Sequence, residues 1–246
     1  MENVLLIATS RQMALRREMD VIANNVANVN TNGFKRRMSD SREFLMPVAS
    51  ADTFKRGVDR KVSFVVDRGT PLDTSAGTVD PTNNPMDVAI NGDAYFVVRT
   101  PQGERYTRNG ALMLNANGEL VNSDGHAMIG EQGVFQFAPE ERNITVASDG
   151  TVITANGARG KMRLVRFPNQ QQLENVGSNL FNTRAQPEPA LTARVQAGFL
   201  ERSNVRPVLE ISRMIEVNRQ YQNIANLMSK TDETRRTAIQ KLSETI

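Results

Sequence analysis

Hydrophobic positions in the first thirty residues recur in heptads, with Leu5, Gln12, Met19 and Val26 in one series and Ala8, Leu15, Ile22 and Val29 in the other. Only Gln12 interrupts the seam. The spacing predicts a helix from about residue 3 to 31, about 44 Å long at 1.5 Å per residue. It closes where Asn32 and Gly33 offer a left-handed terminus. An ordinary amphipathic helix lying on its own domain would show the same period.

A second heptad stretch occupies the C-terminal region. Ile211, Asn218, Ala225, Asp232, Ile239 and Ile246 alternate there with Met214, Tyr221, Met228, Arg235 and Leu242. The seam weakens at Asp232 and Arg235. Ser203 and Asn204 are suitable N-caps, and Pro207 falls in the first turn, where its missing N–H costs little. The predicted helix runs about 38 residues, or about 57 Å. Both helices exceed the usual globular length, which favours a coiled-coil or assembly setting.

Between them the period shortens to that of strands. Ala94 to Val98, Leu112 to Leu114 and Leu120 to Val121 are apolar runs separated by Gly103, Asn109-Gly110 and Asn117-Gly118. The same alternation carries Ile144 to Val146, Thr151 to Thr154 and Met162 to Phe167 across Asp149-Gly150 and Asn156-Gly157. These are hairpin signals. The stretch from Asp52 to Thr74, with Val62 to Val66 as a strand, reads as an extended arm. The expected class is therefore α+β: an antiparallel β-domain over residues 76–200, flanked by long coiled-coil-type helices in segments 1–34 and 201–246, with an arm or linker over 35–75.

Composition narrows the function. The 246 residues are 39% hydrophobic and 23% charged, which suits a folded chain and argues against wholesale disorder. Thirty basic residues against 27 acidic ones leave a net charge of +3, too even for a nucleic-acid-binding stripe. The chain has no cysteine, so disulfides, thiolate metal sites and a cysteine nucleophile are excluded. The apolar run Val4 to Ala8 has no basic stretch before it and is followed by Arg11, Arg16 and Arg17. No Sec-type signal is readable, and no apolar stretch reaches the roughly 20 residues of a membrane span. The expectation is a cytoplasmic chain or one exported by another route.

Candidate chemistry is thin. The single histidine, His126, follows Ser123, Asp124 and Gly125 on a turn, where sequence neighbours do not meet in triad geometry. Asp87 to Asp93 lacks the alternating ligands and distal Glu of a calcium loop. Asp80, Asp87, Asp93, Glu104, Glu119 and Asp124 supply carboxylates that a glycoside hydrolase would need in pairs. With no Trp and three Tyr, there is little aromatic material for a sugar platform.

Val21 to Phe34 resists a bland reading. Its fourteen residues carry no charge and include Asn24, Asn25, Asn28, Asn30 and Asn32. Asparagine is a poor helix former, and a solvent-facing helix surface normally carries Lys and Glu. An uncharged, amide-rich back face suits a helix surrounded by protein, where amides can set register without burying charge.

The run Met19 to Lys35, MDVIANNVANVNTNGFK, strongly resembles the N-terminal signature of the flagellar rod and hook proteins, ANNLANxxTxGFK, with Val26 in place of the usual Leu. Further blocks follow in that family's order. They are Asn84 to Gly92 with Phe96, then Tyr106 to Gly110 through Gly118 to Val121, and last Gly198 to Val205 leading to Met214 to Tyr221. Within the family, Met1-Glu2-Asn3 and Ser10 to Leu15 resemble the proximal-rod branch most, with the distal-rod branch next. The resemblance implies a structural subunit of the basal-body rod that transmits torque through helical self-assembly. It implies export by the flagellar type III apparatus and assembly in the periplasm. It implies as partners copies of itself, other proximal-rod proteins and a distal-rod subunit, with no nucleic acid and no small-molecule substrate. It implies no catalytic residue, cofactor or metal. The residues expected to make assembly contacts are Leu5, Leu15, Met19, Ile22, Asn24, Asn25, Val26, Asn28, Val29 and Phe34, with Ile211, Met214, Tyr221, Ala225, Met228, Ile239 and Leu242. Each helix alone is marginal in water, so the two are expected to be poorly ordered until assembly pairs them.

Overall fold

The computed structural model describes residues 2–47, 61–141 and 143–243. Among these residues the class is α+β, with two α-helices and antiparallel strands. The chain divides into two compact units. One comprises residues 1–26, 37–71 and 206–246, and the other residues 27–36 and 72–205.

The first unit holds helix α1 (Glu2–Ala27), helix α2 (Pro207–Ser243) and a hairpin of strands β1 (Asp40–Pro47) and β2 (Lys61–Gly69). The strand expected at Val62 to Val66 falls inside β2, while residues 48–60 of the expected arm lie outside the described residues. The hairpin lies beside α1, where the Val65 N–H reaches Ser10 Oγ at 3.5 Å.

Helix α1 ends at Ala27, four residues before the expected end at 31. Asparagine chemistry accounts for the difference. Asn28 Oδ1 accepts from Thr31 Oγ1 at 3.1 Å, and the Thr31 N–H bonds back to Asn28 O at 3.2 Å, so local side-chain bonds replace the helical ladder. Gly33 does take a left-handed φ of 68°. A Cβ there would stand 2.5 Å from the Arg108 carbonyl carbon, so close approach of two backbones also requires a glycine at this place.

The second unit is built on an antiparallel sheet whose strands run, in spatial order, Glu174–Asn175, Phe181–Asn182, Gly103–Thr107, Tyr95–Thr100, Ala127–Gly130, Leu120–Asn122 and Leu112–Leu114. The apolar run Ala94 to Val98 is continuous because its central strand is covered on both sides. Phe96 and Val98 enter one core with Leu112, Leu120, Met128 and Val152, while Tyr95 and Val97 enter another with Tyr106, Phe167, Leu173 and Phe181. Rings in the second core meet edge-on, as with Tyr106 and Phe167 at 4.8 Å between centroids.

Hairpins form at Gly103, Asn117-Gly118, Asp149-Gly150 and Asn156-Gly157, as expected. Asn109-Gly110 does not join a hairpin. The strands on either side of it pair elsewhere, Gly103–Thr107 with Tyr95–Thr100 and Leu112–Leu114 with Leu120–Asn122. The Gly110 carbonyl instead accepts the Val88 N–H at 2.9 Å, and a Cβ on Gly110 would lie 1.8 Å from the Val88 oxygen.

This contact gives a test. Gly110→Ala forces two backbones apart and should destabilise the chain at or beyond the top of the ~1–3 kcal/mol range for overpacked sites. Gly125→Ala meets open space at φ 82° and should cost only about 1–2 kcal/mol of backbone strain. Urea denaturation of the two variants reads the order, and the reverse order would refute the contact.

Candidate assembly site

The two terminal helices pack against each other within one chain. Leu15, Ile22 and Val217 are buried together, with Met19, Val26, Met214, Tyr221 and Ile224 packed around them. The pairing is antiparallel. Arg11 Nη2 donates to Gln220 Oε1 at 3.1 Å, and Arg213 Nη2 lies 2.8 Å from Glu18 Oε1. The expected absence of helix pairing in the lone chain is therefore corrected, because the chain supplies its own partner over this stretch. The continuous coiled coil expected of both helices is also not what forms, since the apolar contact is local.

The structure also shifts the expected α2 register. Val217 is buried, while Asn218 is exposed and Ile211 is about half exposed. The true stripe is Met214, Val217, Tyr221 and Ile224. A step of three followed by four is as regular as a step of four followed by three. The apolar side chains at 217 and 224 decide between them. Ala225 and Met228 are half-buried, and Ile239 and Leu242 are exposed by 59% and 68%. On α1, Leu5, Met19 and Val26 are half-buried, Asn24 faces outward and Asn25 is buried. In the second unit, Asn28 and Val29 are half-buried and Phe34 is buried.

Sequence reasoning missed the charged centre of the second unit. Lys35 Nζ donates to Glu201 Oε1 and to Ser75 O, each at 2.7 Å. Arg108 Nη1 donates to Glu201 Oε2 at 2.9 Å, and its Nη2 to Gly92 O at 2.7 Å. The Gly77 N–H adds a bond to Glu201 Oε1 at 3.1 Å. All three charged side chains are at most 2% exposed. The Arg108 guanidinium also lies 5.2 Å from the centroid of the Tyr95 ring. Burial alone would raise the Glu201 carboxyl, but Arg108 and Lys35 outweigh it and hold the group below its ordinary value. Burial pushes the Lys35 ammonium down, against the pull of Glu201. Burial likewise carries the Tyr95 hydroxyl up to about 12.

Neighbouring bonds fasten the same segment. Asn204 Oδ1 accepts the Arg36 N–H at 2.6 Å, and Asn204 Nδ2 donates to Asp73 O at 2.8 Å. The signal available beforehand was that Lys35 closes the fourteen-residue run without charge and that Arg108 is the one charge in Tyr106 to Gly110.

Three of the carboxylates of the enzyme alternative have partners of their own. Asp80 pairs with Arg202 and Glu104 with Arg163, while Glu119 accepts from Asn115. An open cleft of about 400 Å³ is lined by Asn28, Asn30, Asn32, Asn109 and Asn179, with Asp124 as its carboxylate. His126 borders a different cleft, beside Arg105 and Gln102.

The chain is an α+β protein with an antiparallel helix pair in one unit and a buried charge cluster in the other. Three family profiles match the chain: the flagella basal body rod protein over residues 5–35, the flagellar hook protein FlgE/F/G D1 domain over 89–154, and the flagellar basal body rod FlgEFG protein C-terminal region over 196–241. Each holds one member of the buried charge cluster. The chain is 36% identical to the flagellar basal-body rod protein FlgF of Caulobacter vibrioides, over 99% of each chain. It is 35% identical to FlgF of Mesorhizobium japonicum over 98% of each. It is 33% identical to FlgG of Buchnera aphidicola over 97% of this chain and 98% of the relative. The chain belongs to the flagellar basal-body rod protein family and is a structural rod subunit. Its likeness to FlgF runs over nearly the full length.

Glu201→Ala would leave two buried cations without their shared counter-charge, and should cost about 3–5 kcal/mol of stability. The Glu201 carboxyl titrates below its ordinary 4.5 in the folded chain. Its contribution is therefore complete above that value and is lost as pH falls through the lowered one. The urea midpoint of the parent chain should fall more steeply in acid than that of Glu201→Gln. Equal slopes would show that the ion cluster contributes nothing.

Proposed function

We propose that the chain is a proximal-rod subunit that transmits torque across the periplasm by helical self-assembly, without catalysis, cofactor or metal. The reading rests on the uncovered part of α2. Every residue from Asp232 to Ser243 is exposed, Ile239 and Leu242 among them. A stretch of about twelve residues gains too little from its own hydrogen bonds to hold a helix in water. Its apolar residues are matched to a partner helix. On the near half of α2, Val208, Leu209, Ile211 and Ile215 are also exposed, as are Leu6 and Met13 on α1.

Outward apolar faces on both helices suit repeated, non-closing contacts of the kind that build filaments. The assembly contacts are then the residues named from the sequence, divided by role. Leu15, Met19, Ile22, Asn25, Val26, Met214 and Tyr221 hold the pair, and Asn28, Val29 and Phe34 set the segment that follows it. Leu5, Asn24, Ile211, Ala225, Met228, Ile239 and Leu242 are turned to neighbours. Those neighbours are copies of this chain, other proximal-rod proteins and, distally, FlgG. Export by the flagellar type III apparatus completes the reading. The likeness to FlgG supports a distal-rod position as the second reading.

Ile239→Asp combined with Leu242→Asp should change the stability of the isolated chain by no more than about 0.5 kcal/mol and abolish motility. Normal swimming with normal rods would overturn the proposal. Electron micrographs of basal bodies from cells lacking the chain should show rods that lack the distal segment together with part of the proximal one. Rods with a full proximal part, missing only the distal segment, would favour the second reading.

A further inference from the structure

The helix seam by itself does not determine how far one helix is slid along the other. Leu15 and Met19 are followed seven residues later by Ile22 and Val26, and Met214 and Val217 by Tyr221 and Ile224. A slide of one heptad, about 10.5 Å, again sets apolar on apolar. One buried polar group distinguishes the registers. Asn25 is 1% exposed. Its Nδ2 donates to Glu210 Oε2 at 3.0 Å and to Arg37 O at 2.8 Å, while its Oδ1 accepts the Arg37 N–H at 2.9 Å. The carboxamide thus grips the backbone N–H and carbonyl of Arg37 and reaches across to α2. Glu210 is itself buried in the first turn of α2, where the helix dipole favours a carboxylate.

We infer that Asn25, through Glu210 and the Arg37 backbone, selects the single register of the α1–α2 pair. A slid pair keeps its apolar contact but carries Asn25 away from Glu210, so a buried amide loses its acceptor on the other helix. That penalty falls on the wrong registers alone, as a buried amide does in coiled coils. Asn25 is a positioning residue: it decides which residues of each helix face outward. Register matters to the rod reading because a slid pair would present a different surface to neighbours.

The chain has no cysteine, so introduced pairs report register without background. In the isolated chain, Glu18→Cys with Arg213→Cys should cross-link through a short thiol-reactive linker. Glu18→Cys with Gln220→Cys, one heptad away, should not. Adding Asn25→Leu should raise the second cross-link about tenfold or more, with helicity by circular dichroism retained. Glu210→Gln, whose amide oxygen still accepts from Asn25 Nδ2, should keep the native pair. Exclusive native cross-linking in Asn25→Leu overturns the inference. Should that variant not fold, Glu210→Met puts the same question from the other helix, with the same two readings. Motility does not enter the measurement, so failure here is separable from failure of the rod proposal.

Discussion

Two cations and one carboxylate buried together impose a condition that much of the second unit has to meet. Moving Lys35, Arg108 and Glu201 out of water costs several kcal/mol per ion, and mutual attraction offsets this only when all three are in place and hydrogen-bonded. The carboxylate has both oxygens occupied, and the backbone at Gly77, Ser75 and Gly92 supplies further bonds, while Arg108 Nε stays buried without one. Three stretches that are far apart in sequence must arrive together for the charges to be tolerated. Such a cluster adds little net stability over an apolar core of the same volume. It penalises every arrangement in which one member is missing. Gly33, two residues before Lys35, packs closely on the Arg108 and Asn109 backbone and donates its N–H to the Glu201 carbonyl at 2.7 Å, so the same three stretches also meet through their backbones.

A different balance holds in the first unit. Its apolar core is small, centred on Leu15, Ile22 and Val217, and leaves hydrophobic side chains outward on both helices. Burial of three such side chains, at roughly 1.5–3 kcal/mol each, stabilises a short contact and does not sustain a 37-residue helix along its whole length. A subunit whose helices were fully satisfied internally would have nothing to offer a filament. Partial burial leaves the driving force for association in the monomer, while the Asn25 contact restricts the pair to one arrangement.

Local signals were legible before the fold was. Hairpins at Asn117-Gly118, Asp149-Gly150 and Asn156-Gly157 follow from turn chemistry that acts over four residues. At Asn109-Gly110 the same dipeptide serves another purpose, because Gly110 is needed where the Val88 carbonyl comes close. The difference is not local and leaves no mark in the dipeptide. Likewise the α2 pattern allowed two seams that share Met214, Tyr221 and Met228. The seam through Val217 and Ile224 is the more apolar of the two, and α1 packs on it in place of the one through Asn218. The asparagines of Val21 to Phe34 were recognisable as unusual, yet they diverge in place. Asn25 is buried beside a carboxylate, Asn24 faces outward, and Asn28 closes the helix.

The heptads, the change to a two-residue period and the motif blocks by themselves determined two terminal helices, an antiparallel β-unit and membership of a rod family. Each of those depends on interactions between near neighbours or on a linear pattern. The tertiary structure alone decided which helix face is inward, where α1 stops and which charges are buried. It also decided that Lys35, Arg108 and Glu201 form one cluster. Those outcomes depend on desolvation, and a side chain loses its water only when distant parts of the chain close over it.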